Sequence, residues 1–303
     1  MMFQTAVGNG SEDPPVGSDL IDSATAEAAA YEPEIWAVLL FAFALITISL
    51  VSLRKLESHF FAKPAPQTIH PLYRIEDLLI IFGLMIFSGA GAVIWLRSLF
   101  DNMAVDIAGS ATISILMMAL TIKVHQKRCR EQKRLDESFF GTGSGALKSI
   151  GIASLTLLCY LPAHIGVSAL WDSLLRMIEF DNDMQHGIVL IQQAIQQQNW
   201  GLLLAMAVTV IVIAPCTEEV LFRGLLFRYL RDRNGFIPAA LISSMLFGLL
   251  HDSSSGPVAV LGFLLAWLYQ RSGNLWLSIL LHSMFNTVMI SLLFLTEFFG
   301  WSS

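Results

Sequence analysis

The segment Thr217–Arg223 places two adjacent carboxylates and an arginine between strongly apolar stretches of the chain. A charged side chain at the centre of a bilayer costs about 3 kcal/mol or more unless it is paired or faces a polar cavity. On a helix, Glu219 and Arg223 are four residues apart and can form an ion pair. Glu218 lies about 100° further around the helix and lacks this partner. We therefore expect Glu219 to be structural and Glu218 to be available for chemistry.

Three more polar residues occur within apolar segments or at their ends: His251, His282 and Asn286. His282 and Asn286 are four residues apart and share one face of a helix. Hydrolysis of a peptide bond by water needs a base that removes a proton and a donor that stabilises the oxyanion. A glutamate in an apolar cavity suits the first task, and the amide group of asparagine suits the second. Glu218, the two histidines and Asn286 are therefore predicted to form one buried polar site.

The residue types leave other roles for this site open. Glu218, His251 and His282 supply the nitrogen and oxygen ligands of a catalytic zinc site. The chain has no His-Glu-x-x-His motif, and a glutamate bound to zinc would require a second residue as the base. Zinc is therefore one option, and a metal-free, glutamate-activated water is the other. The same residues are also consistent with a structural role as hydrogen-bond partners between helices.

The composition indicates an integral membrane protein. Of the 303 residues, 55% are hydrophobic and 14% are charged, whereas soluble domains contain about 25% charged residues. The three cysteines show no paired spacing that would predict disulfides or a cysteine zinc site. The chain has no glycine-rich nucleotide-binding loop. We expect a lipid bilayer and a peptide or protein substrate as partners, and no nucleic acid; the sequence does not predict the oligomeric state.

The chain is predicted to have three regions. Residues 1–33 contain acidic residues but no lysine or arginine, which predicts a disordered acidic tail. The glycine-rich segment Gly141–Gly145 is typical of a flexible linker. It separates N-terminal transmembrane helices, residues 34–140, from a C-terminal catalytic region, residues 141–303.

Eight segments are predicted to span the membrane, which requires about 20 mostly apolar residues. They are Ile35–Leu53, Leu78–Leu96, Met103–Ile122, Ser149–Trp171, Trp200–Pro215, Phe236–His251, Pro257–Tyr269 and Leu275–Phe298. The fifth to seventh are short, as expected where helices surround a polar cavity. The predicted fold is an all-α, polytopic bundle of about eight transmembrane helices around a polar intramembrane cavity.

The charges predict how these helices are oriented. Lysine and arginine cluster after the first, third and fifth spans, whereas acidic residues dominate the N-terminal tail and the connection Asp172–Asp183. The positive-inside rule therefore places both termini outside the cytoplasm. This pattern and the compact loops favour a prokaryotic inner (plasma) membrane. Before the fifth span, Gly187–Gln198 is predicted to form an amphipathic interfacial helix or a solvated loop.

These boundaries create a conflict of depth at the site. If the fifth span ends near Pro215, Glu218 lies near the cytoplasmic face. His251 then lies at the far end of the next span, about 20 Å away by helix rise. A helix that breaks at Pro215 and restarts with Thr217 as its cap would bring the two side chains together. Tilted helices would also reduce the separation.

Three ordered motifs resemble those of the CPBP family of intramembrane proteases, which includes the type II CAAX prenyl endopeptidases and the Abi bacteriocin-immunity proteins. They are Glu218-Glu219-x-x-x-Arg223, Phe247-x-x-x-His251 and His282-x-x-x-Asn286. The flanking residues Ala214-Pro215 and Phe222-Arg223-Gly224 also fit. The resemblance runs from Ala214 to Asn286, and residues 1–140 carry no such motif.

The resemblance implies a membrane-embedded endopeptidase of the CAAX-protease type. The catalytic residues would be Glu218, His251, His282 and Asn286, and the supporting residues would be Glu219, Arg223 and Phe247. Glu218 would activate the water with His251 as its partner, and the other two catalytic residues would hold the oxyanion or a metal. The family is often labelled metalloprotease, and prenylated C-terminal peptides are its precedent as substrates.

Two other classes of function are compatible with the sequence. A non-catalytic membrane scaffold or immunity factor would retain the same motifs without activity. A transporter would use Glu218 and the histidines as a path for protons or ions. Transporters often show repeat symmetry between their halves, and we find no internal repeat here.

The predicted orientation has a direct test. A cysteine introduced into the Lys123–Arg134 segment should not react with a membrane-impermeant thiol reagent that is added to intact cells, because this segment is predicted to be cytoplasmic. Permeabilised cells provide the positive control. Labelling in intact cells would contradict the predicted topology.

Overall fold

The computed structural model describes residues 35–61, 71–99, 103–134, 140–141, 145–178 and 186–299. The predicted acidic tail, residues 1–33, lies outside this part of the chain. The described elements are α1 Ile35–Phe60, α2 Ile75–Leu99, α3 Met103–Glu131, α4 Ala146–Met177, α5 His186–Gln196, α6 Trp200–Asn234, α7 Phe236–Leu249, α8 Ser255–Ser272 and α9 Leu275–Phe299. A short 3₁₀ turn, Asp252–Ser254, joins α7 to α8. The all-helical class is confirmed for the described residues.

Five of the described helices are long and apolar enough to cross a bilayer: α1, α3, α4, α6 and α9. Helix α7 is apolar but shorter. Large hydrophobic side chains are exposed along these helices, as the lipid-facing surface of a membrane protein requires. The protein is therefore an integral membrane protein with several candidate spans, and the total of eight stays a prediction.

Helix α6 overturns the predicted end of the fifth span. The sequence prediction ended this span at Pro215, but the helix continues without a break from Trp200 to Asn234. Two stretches with π-helical hydrogen bonding, Thr209–Ile213 and Val220–Phe227, lie on either side of the proline. The predicted restart at Thr217 is wrong, since Thr217 Oγ1 donates to the carbonyl of Ser114 on α3, 3.2 Å away, and caps nothing.

The continuous helix removes the predicted conflict of depth. Gly235, at φ 80°, forms the tight turn between α6 and α7. A positive φ of this size strains residues other than glycine. Glu218 and His251 each lie about 25 Å along the chain from this turn, at a helical rise of about 1.5 Å per residue. Because α6 and α7 form a hairpin, the Glu218 carboxylate and the His251 imidazole lie at a similar depth along the two helices.

Small residues bring helices α1 and α4 into close contact. A Cβ atom on Gly166 would lie 3.0 Å from the carbonyl oxygen of Ala42 and 3.1 Å from its Cα. Next to Pro162, which lies inside α4, the backbone N–H of Ala163 donates to Ser49 Oγ at 2.8 Å. A hydroxyl of α1 thus hydrogen-bonds to the backbone of α4 beside the proline.

Helices α7 and α8 approach each other just as closely. A Cβ atom on Gly248 would collide with the backbone of Ser255, at 2.3 Å from its carbonyl oxygen. One on Gly262 would meet Ser244 and the ring of Phe247, at 3.2 Å and 3.1 Å. The backbone of α8 therefore lies directly beside the polar residues of α6 and α7.

Charged residues fix the ends of several helices at one end of the bundle. Arg128 on α3 binds both carboxylate oxygens of Asp77 on α2, each at 2.8 Å. Arg233, at the end of α6, donates to the carbonyl of Tyr73 at 2.8 Å. Arg271, at the end of α8, pairs with Glu57 on α1. The arginines that the sequence analysis assigned to a loop after the fifth span lie within the last turns of α6.

The segment Gly187–Gln198 was predicted to form either an amphipathic helix or a solvated loop. Most of it lies in helix α5, so the loop alternative is wrong. Ile191 and Ala194 are buried against Leu202 and Met206 of α6. On the opposite side, Gln192 Nε2 donates to Glu297 of α9 at 2.7 Å.

The contact between α1 and α4 predicts that Gly166→Ala destabilises the protein. The added methyl group would meet backbone atoms of Ala42, which cannot rotate away, and such overpacking costs about 1–3 kcal/mol. Gly151→Ala on the same helix is the matched control, since nothing lies within 4 Å of its Cβ position. Alanine there should be neutral or stabilising by up to about 1 kcal/mol. Equal melting temperatures for the two variants in detergent would contradict the close contact.

Candidate active site

A fully buried ion pair lies at the centre of the candidate site. Arg223 Nη1 donates to Glu219 Oε1 at 2.9 Å, and the two side chains are 1% and 0% exposed. Arg223 Nη2 donates to the carbonyl of Gly262 on α8 at 3.0 Å. The guanidinium group also lies over the ring of Phe247, 4.5 Å from its centroid. The i,i+4 pair predicted from the sequence is present, and it joins α6 to α7 and α8.

His282 of α9 binds to the same carboxylate. Its Nδ1 lies 3.0 Å from Glu219 Oε1. An ionised carboxylate can only accept, so Nδ1 carries a proton and donates it to this oxygen. The other nitrogen, Nε2, then points towards Glu218, with 3.8 Å between Nε2 and Oε2. Glu219 thus fixes the orientation of the His282 ring.

Glu218 lies at the wall of a cavity, in contrast to its neighbour Glu219. Its side chain is 27% exposed. The cavity has a volume of about 270 Å³, which is enough for several water molecules. Its lining is mostly apolar, with polar groups from Glu218, His251, Thr217, Ser110 and Ser114. This carboxylate therefore faces open space while the adjacent one is used in packing, as the helical geometry predicts.

His251 also lines this cavity and lies just after the end of α7. Its Nδ1 is 2.8 Å from the carbonyl of Phe247, and a carbonyl only accepts, so Nδ1 carries the proton. In the neutral ring, Nε2 is then the nitrogen that can accept a hydrogen bond. The Phe247 ring contacts this histidine and also His282, at centroid distances of 4.8 Å and 5.8 Å.

Asn286 occupies a different place from the other predicted site residues. It lies one turn beyond His282 on α9, and its Nδ2 donates to the backbone carbonyl of Val210 on α6 at 2.8 Å. It does not line the cavity that contains Glu218 and His251. The structure thus brings Glu218 close to His282, places Glu218 and His251 around one cavity, and puts Asn286 against the backbone of α6.

The metal option for Glu218, His251 and His282 finds no support in this geometry. Within the described residues, no group of three or more His, Cys, Asp or Glu side chains is close enough together to hold a metal ion. Nδ1 of each histidine is already engaged by an oxygen of the protein.

Three contributors to the site were missed by the sequence analysis. The Gly262 carbonyl binds Arg223, the Val210 carbonyl binds Asn286, and Trp171 of α4 donates to the carbonyl of Ser253 at 2.6 Å. That tryptophan holds the turn that follows His251. Backbone carbonyls carry no signal in a sequence, although the small residue at position 262 was a sign of close packing.

The chain was compared with known protein families. Residues 199–288 match the family described as type II CAAX prenyl endopeptidase Rce1-like. This range contains the whole of all three motifs. Within the C-terminal region, residues 199–288 are thus similar to this family. Within this range, the CPBP motifs fall on α6, on the end of α7 and on α9, which are the elements that build the site described above.

Two curated bacterial proteins are similar to part of the chain. The protein named "Putative membrane peptidase YdiL" of Bacillus subtilis (strain 168) is 35% identical over 81 residues, which cover 26% of this chain and 33% of the relative. UPF0177 protein YxdF of Lactococcus lactis subsp. lactis (strain IL1403) is 36% identical over 78 residues, 25% of this chain and 42% of the relative. The chain therefore spans less than half of either relative. No solved structure matches it significantly.

The central ion pair predicts that Glu219→Gln destabilises the protein. The substitution leaves Arg223 charged and buried without its counter-ion, and breaking such a pair costs about 3–5 kcal/mol. Glu57→Gln is the matched control, because the Glu57–Arg271 pair is partly exposed, at 28% and 26%. Its loss should cost about 1 kcal/mol or less. Expression and thermal melting in detergent measure both, and an equal, small effect would show that the Glu219 pair is not buried in the folded protein.

Proposed function

We propose that the protein is an intramembrane endopeptidase in which Glu218 activates a water molecule for peptide-bond hydrolysis. The observation that supports this most strongly is the contrast between the two adjacent carboxylates. Glu219 is fully buried and accepts two hydrogen bonds on one oxygen. Glu218 is partly exposed, faces the cavity and lies 3.8 Å from His282 Nε2. The similarity of residues 199–288 to the type II CAAX prenyl endopeptidase family supports the same reaction.

In the proposed first step, a water molecule in the cavity lies between Glu218 and His251. Glu218 takes one proton from it, and the Nε2 lone pair of His251 accepts a hydrogen bond from the other. The oxygen attacks the carbonyl carbon of the scissile bond, and the carbonyl electron pair moves to oxygen to form the oxyanion. A base positioned in this way contributes about 10²–10⁴-fold to the rate.

His282 is proposed to stabilise the oxyanion. In its protonated form it donates from Nδ1 to Glu219 and from Nε2 into the site. The buried charges then balance, since Arg223 neutralises Glu219, and the imidazolium neutralises Glu218 before proton transfer and the oxyanion after it. One preorganised donor of this kind contributes about 3–4 kcal/mol to transition-state stabilisation. In the last step the C–N bond breaks, and Glu218 returns the proton to the leaving amine.

The apolar lining of the cavity favours a peptide segment with hydrophobic side chains as the substrate. Seven of the lining residues are Met85, Ile113, Met117, Leu221, Phe222, Phe247 and Leu250. Matched peptides with and without a prenyl group would show whether the precedent of the family extends to this protein.

Glu218→Gln tests the proposal. The substitution keeps the size of the side chain but removes the base, so the purified protein in nanodiscs should lose about 10²–10⁴-fold in cleavage rate on a library of membrane peptides. Its melting temperature should stay close to that of the wild type, because Glu218 is not part of the central ion pair. Glu76→Gln, at an exposed position on α2, is the control and should retain full activity.

Treatment with a chelator distinguishes a metal-free reaction from a metal-dependent one. Activity that withstands chelation supports the glutamate-activated water without metal. Activity that is lost on chelation and restored by zinc would replace that mechanism with a metalloprotease. If the wild type cleaves no peptide in the library and a Glu218→Gln variant is indistinguishable from it, the non-catalytic scaffold becomes the better explanation.

A further inference from the structure

The backbone of α6 has a gap in its hydrogen bonding immediately before the two glutamates. In the π-helical stretch Thr209–Ile213, the N–H of Ala214 donates to the carbonyl of Thr209, five residues earlier. The next carbonyl in this register, that of Val210, would accept from the N–H of residue 215. This residue is Pro215, which has no N–H to donate.

A side chain from another helix fills this gap. Asn286 Nδ2 donates to the Val210 carbonyl at 2.8 Å. A backbone carbonyl without a partner in an apolar environment is costly, because no water is present to replace the missing donor. The amide of Asn286 therefore takes the place of the proline's missing N–H and ties α9 to α6.

A second contact between the same two helices occurs one turn away. His282, four residues before Asn286, donates to Glu219, which follows Pro215 on α6. The two contacts together fix the position of α9 along α6, and with it the distance from His282 Nε2 to Glu218. Loss of the contact at Asn286 leaves the His282–Glu219 hydrogen bond and apolar packing to hold α9 against α6.

We propose that Asn286 is a positioning residue that acts through α6 and α9. This inference rests on the proposed function for its kinetic consequence. The role is distinct from the oxyanion contact that the resemblance implied, and the hydrogen bond from Asn286 Nδ2 to the Val210 carbonyl supports it.

A rescue experiment separates the two roles. Asn286→Ala should lower the cleavage rate by about 100-fold, the effect expected when catalytic groups are displaced by about 1 Å. In the double variant Pro215→Ala/Asn286→Ala, residue 215 has an N–H again. The Val210 carbonyl can then be satisfied within α6, in the π-helical register directly or by a return to the α-helical register. Activity of the double variant should therefore recover most of the loss.

The matched control is Pro162→Ala/Asn286→Ala, which restores an N–H to the other helical proline, on α4. This control should remain as inactive as Asn286→Ala. An oxyanion donor, in contrast, cannot be replaced by a backbone N–H on the far side of α6. If Pro215→Ala/Asn286→Ala is no more active than Asn286→Ala, the positioning role is wrong.

A stability cycle tests the same contact without any activity. Four proteins that all carry Glu218→Gln are melted in detergent: one without further change, one with Pro215→Ala, one with Asn286→Ala and one with both. If the Asn286 amide replaces the missing N–H of Pro215, Asn286→Ala lowers the melting temperature and adding Pro215→Ala restores it. Additive effects of the two substitutions on the melting temperature would contradict this role. Because this readout needs no substrate, failure of the proposed peptidase activity leaves it intact, and the two proposals can fail independently.

Discussion

The organisation of the site depends on one buried carboxylate. Glu219 Oε1 accepts from Arg223 and from His282, and Arg223 in turn binds the Gly262 carbonyl and lies over Phe247. Breaking a buried ion pair is strongly destabilising, so these contacts constrain α6, α7, α8 and α9 together, although Glu219 Oε2 and Arg223 Nε form no hydrogen bond within the described residues. The same convergence of helices places Glu218 3.8 Å from His282 Nε2 and puts Glu218 and His251 around one cavity.

The close packing around the ion pair follows from the same constraint. An arginine on α6 can reach a backbone carbonyl of α8 only if no side chain stands between them, and Gly262 provides that access. At Gly248 even a methyl group would collide with α8. In a bilayer, where apolar side chains gain little by leaving lipid for protein, small residues and buried hydrogen bonds carry much of the association between helices. The site and the helix packing are thus parts of one structure.

The sequence predicted the local pairs well and the long-range arrangement less well. The i,i+4 spacing predicted the Glu219–Arg223 pair and the separate position of Glu218, because helical periodicity alone determines which side chains share a face. The path of α6 was predicted wrongly, since a proline after an apolar run is the usual sign of a helix end. A donor that arrives from α9 lets the helix continue, and no local pattern reveals it. The contact of His282 with Glu219 was missed for the same reason.

The different environments of the motif residues bear on the choice between an enzyme and a scaffold. Glu219, Arg223 and His282 are each buried and hydrogen-bonded to other helices, so a protein that needed them for folding alone would retain all three. Glu218 is different, because it forms no close contact comparable to the central pair and faces a cavity. A carboxylate next to apolar surface lowers stability unless it is solvated or paired. A scaffold gains nothing from that cost, whereas hydrolysis needs a carboxylate that can take a proton from water. The position of Glu218 therefore favours the peptidase.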